Sequence, residues 1–356
     1  MAQFHTIEVA DVRKDTTDCA VVSLAIPDGL KDVFQFRQGQ HLTLRSIIDG
    51  EDIRRSYSLC SGPTEGQWQV AVKQIPQGVF STYVNQKLQP GDTLEVMEPS
   101  GHFGVEVSPT AKNYVAFVAG SGITPVLSMI KAHLEAEPNS SFSLFYLNRT
   151  AKSIIFKEEI EQLRNRYFGR LHIYYFLTRE RRDIDLFNGR FEAEKLRKIF
   201  SGLLAVDRVD EAFLCGPEEM VFTVKDSLIE AGMAVEHVHY ELFVTGLSEA
   251  DKQRAAQLEE QRVDGVDVTI VDGGKEFHFV MTEEHASILD GALEAGADLP
   301  FACKGGVCST CKCKVTEGQV AMKINYALEA YEVEQQFVLS CQSIPTSDKV
   351  RVDFDV

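Results

Sequence analysis

Four cysteines near the C-terminal end constrain this chain more than any other feature. Cys303, Cys308 and Cys311 stand at Cys-x4-Cys-x2-Cys spacing, and Cys341 follows at a distance. That is the plant-type pattern in which four thiolates hold a [2Fe–2S] cluster. The intervening Lys304-Gly305-Gly306-Val307 suits the task, because glycines let the backbone wrap closely and aim N–H groups at the sulfurs. Zinc also accepts four thiolates, but its structural sites usually pair two short Cys-x2-Cys knuckles. Here Cys308 and Cys311 form the one such knuckle. Cys313 reads either as a competing ligand or as a small buried strand residue.

The other cysteines, Cys19, Cys60 and Cys215, lie far apart. The crowding of four of the eight between 303 and 313 argues against a secreted disulfide framework. The chain has 356 residues with 36 Lys+Arg against 53 Asp+Glu, a net charge of −17. So acidic a balance disfavours nucleic acid, whose phosphates demand a basic face. No apolar run approaches the roughly 20 residues of a membrane span, and Met1-Ala2-Gln3-Phe4-His5 opens no signal peptide. A cytoplasmic protein is expected, with no membrane partner. At about 100–200 residues per domain, two or three domains are expected.

The periodicity changes along the chain. Up to about residue 108, short β-type runs such as Cys19–Ile26, His41–Ile48 and Trp68–Gln74 alternate with turn signals, which predicts an antiparallel barrel or sandwich. From 109 to 245, strand runs at Tyr114–Ala119, Phe142–Leu147, Leu171–Thr178 and Ala212–Cys215 alternate with helical segments. Such alternation predicts a doubly wound parallel sheet. Residues 246–262 are polar and mixed in charge, and read as a linker, helical for a few turns. Residues 263–356 form the last unit, with sixteen acidic residues against seven basic.

Two further constellations carry chemistry. On a barrel strand, Arg55 offers a fork for pyrophosphate, Tyr57 a face for a flat ring, and Ser58 a hydroxyl for a ring nitrogen. Lys73 follows, then Gly78-Val79-Phe80-Ser81, which opens a helix whose N–H groups can receive phosphate. In the second unit, Gly120-Ser121-Gly122-Ile123-Thr124-Pro125 joins a strand to a helix and permits close approach to a diphosphate. Pro125 replaces the third glycine of the usual dinucleotide fingerprint. Cys215-Gly216-Pro217 repeats the strand-to-helix switch where ligands of such sheets gather. Arg149 and Arg179 close successive strands, with no acid read in that place. NADP binders prefer arginine there and NAD binders an acid, so NADPH is expected over NADH. His237 and His239 alternate on a strand and read as packing rather than as a metal site.

Arg55-x-Tyr57-Ser58, Gly78-x-x-Ser81, Gly120-x-Gly122-x-Thr124-Pro125 and Cys215-Gly216-Pro217 together resemble the ferredoxin–NADP reductase superfamily, up to about residue 245. The four cluster cysteines resemble a plant-type ferredoxin fused behind it, an order found in reductase components of multicomponent oxygenases. The resemblance implies a multidomain fold: an antiparallel β-barrel flavin domain (1–108), an α/β doubly wound nucleotide domain (109–245), and an α+β β-grasp ferredoxin domain (263–356). It implies FAD, or less readily FMN, held at Arg55, Tyr57, Ser58, Gly78 and Ser81, with the nicotinamide nucleotide at Gly120, Gly122, Thr124 and Cys215. Phe243 would shield the flavin ring. Oxygenase subunits would be the partners, and no side chain need act as a general acid or base. A reductase for a different oxygenase, a redox sensor or electron store, and a zinc-bearing flavoprotein are the rival readings.

Overall fold

The computed structural model describes residues 3–243 and 249–356. Along β1 (Phe4–Thr16), Ile7 and Val9 turn inward while their neighbours face out, the period-two pattern of a half-buried strand. It pairs antiparallel with β2 (Cys19–Ala25). The chain continues through β3 (His41–Ile48), β4 (Glu51–Ser58), β5 (Trp68–Lys73), helix α1 (Val79–Gln86) and β6 (Thr93–Met97). The strands lie in the order β4-β3-β6-β1-β2-β5. An antiparallel bridge from Leu59 to Val70 joins the two edges and closes the barrel.

Next come β7 (Asn113–Ala119), α2 (Ile123–Ala136), β8 (Ser141–Asn148), α3 (Lys157–Arg166), β9 (Leu171–Leu177), α4 (Ala193–Gly202), β10 (Glu211–Gly216), α5 (Glu218–Glu230) and β11 (Val238–Leu242). Their five strands are parallel, in the order β11-β10-β7-β8-β9. Between β7 and its neighbours β8 and β10 the strand order reverses direction, and this switch point opens the crevice where ligands of doubly wound sheets settle.

The barrel and this sheet share one compact unit, 4–53 with 57–243. Cys19, Val21, Cys60, Ala71 and Phe103 of the barrel lie in the same apolar core as β7, β8 and α2. Helix α2 is buried nearly all round because it is sandwiched between the two. Ser128 donates to the Ser61 carbonyl at 2.7 Å, and buried Lys131 pairs with Glu65 and Glu159 at 3.0 and 2.7 Å.

The second unit contains α6 (Glu249–Glu259), β12 (Val266–Asp272), β13 (Lys275–Met281), α7 (Ile288–Glu294), β14 (Lys312–Glu317), β15 (Val320–Met322), α8 (Ala330–Glu334), β16 (Phe337–Leu339), β17 (Ser343–Pro345) and β18 (Lys349–Asp353). Its main sheet runs β13-β12-β18-β14-β16, with β12 and β18 parallel and the other pairs antiparallel. Helix α7 lies across this mixed sheet, the β-grasp arrangement, and Gly291 meets the Phe279 ring with no space for a side chain.

Part of the segment read as a linker is packed structure. Residues 246–248 fall outside the described residues. Helix α6, however, sets Leu258 against the core of the second unit, joined by Val263. Asp251 accepts from the Tyr326 hydroxyl at 2.7 Å, Glu259 pairs with Lys323, and the Arg262 guanidinium donates to the carbonyls of Thr282 and His285. Its polar composition hid this, because one leucine and a few long charged side chains suffice to dock a short helix.

Candidate functional site

The four cysteines stand on a loop between α7 and β14 and on the turn after β16, and Cys311 and Cys341 belong to the apolar core of the second unit. Cys308, Cys311 and Cys341 are buried and Cys303 is partly exposed. The thiols fall into two pairs. A hydrogen bond from Cys308 lowers the pKa of Cys303 against the effect of burial, and one from Cys311 lowers that of Cys341 in the same way. The Gly305 N–H points at the Cys303 sulfur at 3.3 Å, and the Gln342 amide stands 3.8 Å from that of Cys341. Lys304 and Ser309 adopt φ of 50° and 51°, an unusual conformation for side-chain-bearing residues that lets the loop curl around its thiols. Among the described residues, no three His, Cys, Asp or Glu side chains gather on a single point. Two thiol pairs with inward N–H donors fit a two-iron cluster, in which each iron takes two thiolates. Cys313 points elsewhere: it is buried in the sheet's core, where burial pushes its thiol up.

In the larger unit, β4 ends on Tyr57 and Ser58. The Tyr57 ring packs against Phe80 at 5.8 Å between centroids, and Ser58 is buried. Arg55, which with its neighbours Arg54 and Ser56 groups in the other unit, is exposed, its guanidinium folded onto the Arg54 carbonyl at 2.7 Å. Gly78 precedes α1 in extended conformation, and no side chain caps that helix. A Cβ on Gly78 would stand 2.4 Å from the Ser81 hydroxyl and 2.5 Å from Ile75. Ser81 in turn accepts from the Ile75 N–H at 3.3 Å and donates to the Gly78 carbonyl at 3.2 Å. An uncapped N-terminus held tight by its own serine fits a phosphate group.

Residues 120–122 make a single tight turn between β7 and α2, with Gly120 at φ 54°. At Gly122 a Cβ would stand 2.2 Å from the Cys215 carbonyl oxygen, so this turn and the end of β10 touch backbone to backbone. Thr124 is buried and donates to the Ser121 carbonyl at 3.0 Å. The Lys73 ammonium comes within 3.6 Å of where a Gly120 side chain would begin. Lys73 of the barrel thus lies beside the Gly120 turn of the parallel sheet, and that turn lies against Cys215.

Glu241 joins the candidate residues here, and sequence reasoning missed it. On β11, two residues before Phe243, its carboxylate accepts from the Ser58 hydroxyl at 3.4 Å. Burial, with Glu241 nearby, holds the Cys215 thiol well above its ordinary range. Phe243 is half-buried beside this group, its N–H on the Gly216 carbonyl at 3.3 Å. No motif marks Glu241; only the meeting of two strands from different sheets does.

Arg149 and Arg179 are both exposed and stand at adjacent strand ends, where the Arg179 N–H donates to the Arg149 carbonyl at 2.8 Å. An acid is present here too, against the expectation. The Glu180 carboxylate accepts from the Ala151 N–H at 2.8 Å and so caps the turn between the arginines and α3. A cavity of about 730 Å³ opens beside it between α3, β9 and the loop 181–187, lined by Ala151, Tyr175, Glu180 and Phe187 among others. The histidine pair is structural: His237 and His239 both bond the buried Glu211 carboxylate, at 3.2 and 2.9 Å, with Lys112 on its other oxygen.

A barrel with a flavin-type strand, a glycine-turn parallel sheet and a four-cysteine β-grasp unit define an iron–sulfur flavoprotein reductase. Known proteins agree with this geometry. Residues 6–104 match the oxidoreductase FAD-binding domain model, 117–226 the oxidoreductase NAD-binding domain, and 270–346 the 2Fe-2S iron-sulfur cluster binding domain. Over 356 residues the chain is 42% identical to one component of the 1,2-phenylacetyl-CoA epoxidase of Escherichia coli (strain K12), covering 100% of this chain and 99% of that one. It is 33% identical to the ferredoxin reductase component of 3-ketosteroid-9-alpha-monooxygenase from Rhodococcus rhodochrous, over 98% and 96% of the two chains. The solved structure of phthalate dioxygenase reductase shares the fold, at TM-score 0.61 and 24% identity over 99% of this chain and 98% of that one. The chain belongs to the family of oxygenase reductase components that includes this component of the phenylacetyl-CoA epoxidase. Among the described residues no helix is long and apolar enough to cross a membrane.

Proposed function

We propose that this protein draws reducing equivalents from NADPH and delivers them singly to the oxygenase subunits of a di-iron phenylacetyl-CoA epoxidase in phenylacetate breakdown, in the cytoplasm. Bound flavin turns a two-electron hydride donor into a source of single electrons, and a bound [2Fe–2S] cluster passes them on one at a time. The chain's own residues bind and orient. Arg55, Gly78 and Ser81 receive the phosphates of FAD, while Tyr57 and Ser58 meet its ring system and Phe243 covers it. Gly120, Gly122, Thr124, Cys215 and Gly216 take the nicotinamide end of the nucleotide, with Lys73 adding positive charge. Arg149 and Arg179 receive the 2′-phosphate; among the described residues neither is tied up in an ion pair, whereas Glu180 is engaged as a cap. Cys303 with Cys308, and Cys311 with Cys341, ligate the two irons.

The observation that carries this reading is the convergence of Lys73, Ser58 and Glu241 with the Gly120–Gly122 turn within one packed unit. The 42% identity over the whole chain favours the phenylacetyl-CoA epoxidase as acceptor over other oxygenases. The experiment is product formation from phenylacetyl-CoA in air, with the oxygenase subunits, this protein and either NADPH or NADH. Epoxide that appears with NADPH and vanishes on omitting this chain supports the reading. Brisk reduction of a one-electron dye without epoxide, while the oxygenase works with another reductase, assigns the chain to a different acceptor. Equal kcat/KM with NADH removes the role given to Arg149 and Arg179.

A further inference from the structure

The hairpin joining β1 to β2 reaches out of the barrel to the nucleotide domain. Asp15 lies at a register shift near its tip: Lys14 pairs with Ala20 and Thr16 with Cys19, leaving Asp15 outside the ladder. A bulge of this kind turns one side chain away from the sheet. The Asp15 carboxylate is nearly buried and accepts the backbone N–H of Phe156 at 2.7 Å, with Arg13 on its other oxygen at 3.3 Å. Phe156 is the residue at which α3 begins, and it sits at φ 58°, ψ 26°, with its ring buried. A bulky residue holds that conformation only when its surroundings enforce it, and no side chain of α3's own segment caps the helix. One residue earlier, the Ile155 carbonyl accepts from the Tyr146 hydroxyl at 3.3 Å. Nearby in the hairpin, the Asp18 carbonyl accepts the Gln74 N–H at 2.7 Å, and its carboxylate stands 3.8 Å from the Lys73 ammonium. One hairpin of the barrel thus grips both the start of α3 and the strand end that carries Lys73.

We propose that Asp15 is a positioning residue for the nicotinamide nucleotide. From the flavin barrel it fixes segment 149–156 of the nucleotide domain, so that Arg149 is presented at a set place relative to the barrel. This rests on the assignment of Arg149 to the nucleotide. Asp15 touches no reacting atom, so its loss should act on nucleotide binding rather than on turnover.

The test compares the full-length holoprotein with Asp15→Ala and Asp15→Asn, using NADPH-driven dye reduction and amide hydrogen exchange read on peptides across 149–160. In Asp15→Ala, exchange at 154–160 accelerates and KM for NADPH rises about tenfold, the scale of one lost helix-cap bond. Flavin content is unchanged and kcat stays within about twofold, as for a residue that acts on binding alone. Asp15→Asn keeps an acceptor oxygen and restores most of both effects; should the alanine variant not fold, the asparagine variant with Asp15→Ser carries the comparison. Unchanged exchange and unchanged KM overturn the proposal, as does a fall in kcat at constant KM. Faster exchange with an unchanged KM leaves the cap standing but overturns its nucleotide role, and points the fault to the Arg149 assignment. No NADPH-driven reduction in the unaltered protein would instead mark the failure of that underlying reading.

Discussion

Gly122 has no space for one more carbon, because the Cys215 carbonyl oxygen would stand 2.2 Å from its Cβ. A backbone oxygen cannot swing aside as a flexible side chain does, so the turn or the end of β10 must shift. Gly122→Ala should therefore raise KM for the nicotinamide nucleotide at least about tenfold at a stability cost of about 1–3 kcal/mol, with bound flavin retained. Steady-state kinetics beside the flavin absorption spectrum check this. The glycine was legible in the sequence as part of Gly120-x-Gly122 at a strand-to-helix join. Its reason was not, since Cys215 lies in a different part of the chain. Glu241 shows the opposite case. A lone carboxylate in Tyr240-Glu241-Leu242-Phe243 has no spacing to declare it, and the Ser58 hydroxyl at 3.4 Å is a tertiary contact.

Helix α2 looked like an ordinary helix after a glycine turn, yet its C-terminal end carries a buried polar network. His133 and Glu137 bond at 2.9 Å, and the Glu137 carboxylate also accepts from the hydroxyls of Tyr114 and Ser140 and from the Ser108 N–H. Burial, against the bond to Glu137, holds His133 below its usual range. Burial alone would raise Glu137, but its donors, Ser140 and His133 foremost, hold it lower. Both groups have pKa values depressed by folding, so their contribution is present above the unfolded values of about 6.5 and 4.3 and lost as pH falls through the folded ones. The melting temperature should hold near pH 7–8 and decline as pH drops below about 6.5, by about 2–4 °C per kcal/mol lost. Glu137→Gln should lower it at pH 7 and flatten the acid decline; calorimetry across pH decides. A second element, α6, was legible as a few helical turns, but composition did not show that it packs. Docking of Leu258 and the pairs made by Asp251 and Glu259 are tertiary facts.

At the scale of the whole molecule, the four clustered cysteines all belong to the second unit, so their role can be tested by a single substitution there. Cys341→Ser removes one thiol of a pair from the β-grasp unit. Iron content should collapse and reduction of a one-electron protein acceptor by the nicotinamide nucleotide should fall at least about a hundredfold, while flavin reduction by that nucleotide under anaerobic conditions persists. Metal analysis and stopped-flow absorption check both halves. The sequence by itself determined the three kinds of fold and singled out the cysteine loop and the glycine turns. Strand period, strand–helix alternation and ligand spacing are all local, so they survive in one dimension. Tertiary structure alone decided that barrel and parallel sheet share one core, that Glu241 meets Ser58, that α6 packs, and that Asp15 accepts the N–H of Phe156, 141 residues away. Each of these depends on contacts between distant segments, and no local pattern encodes a partner that folding has yet to bring near.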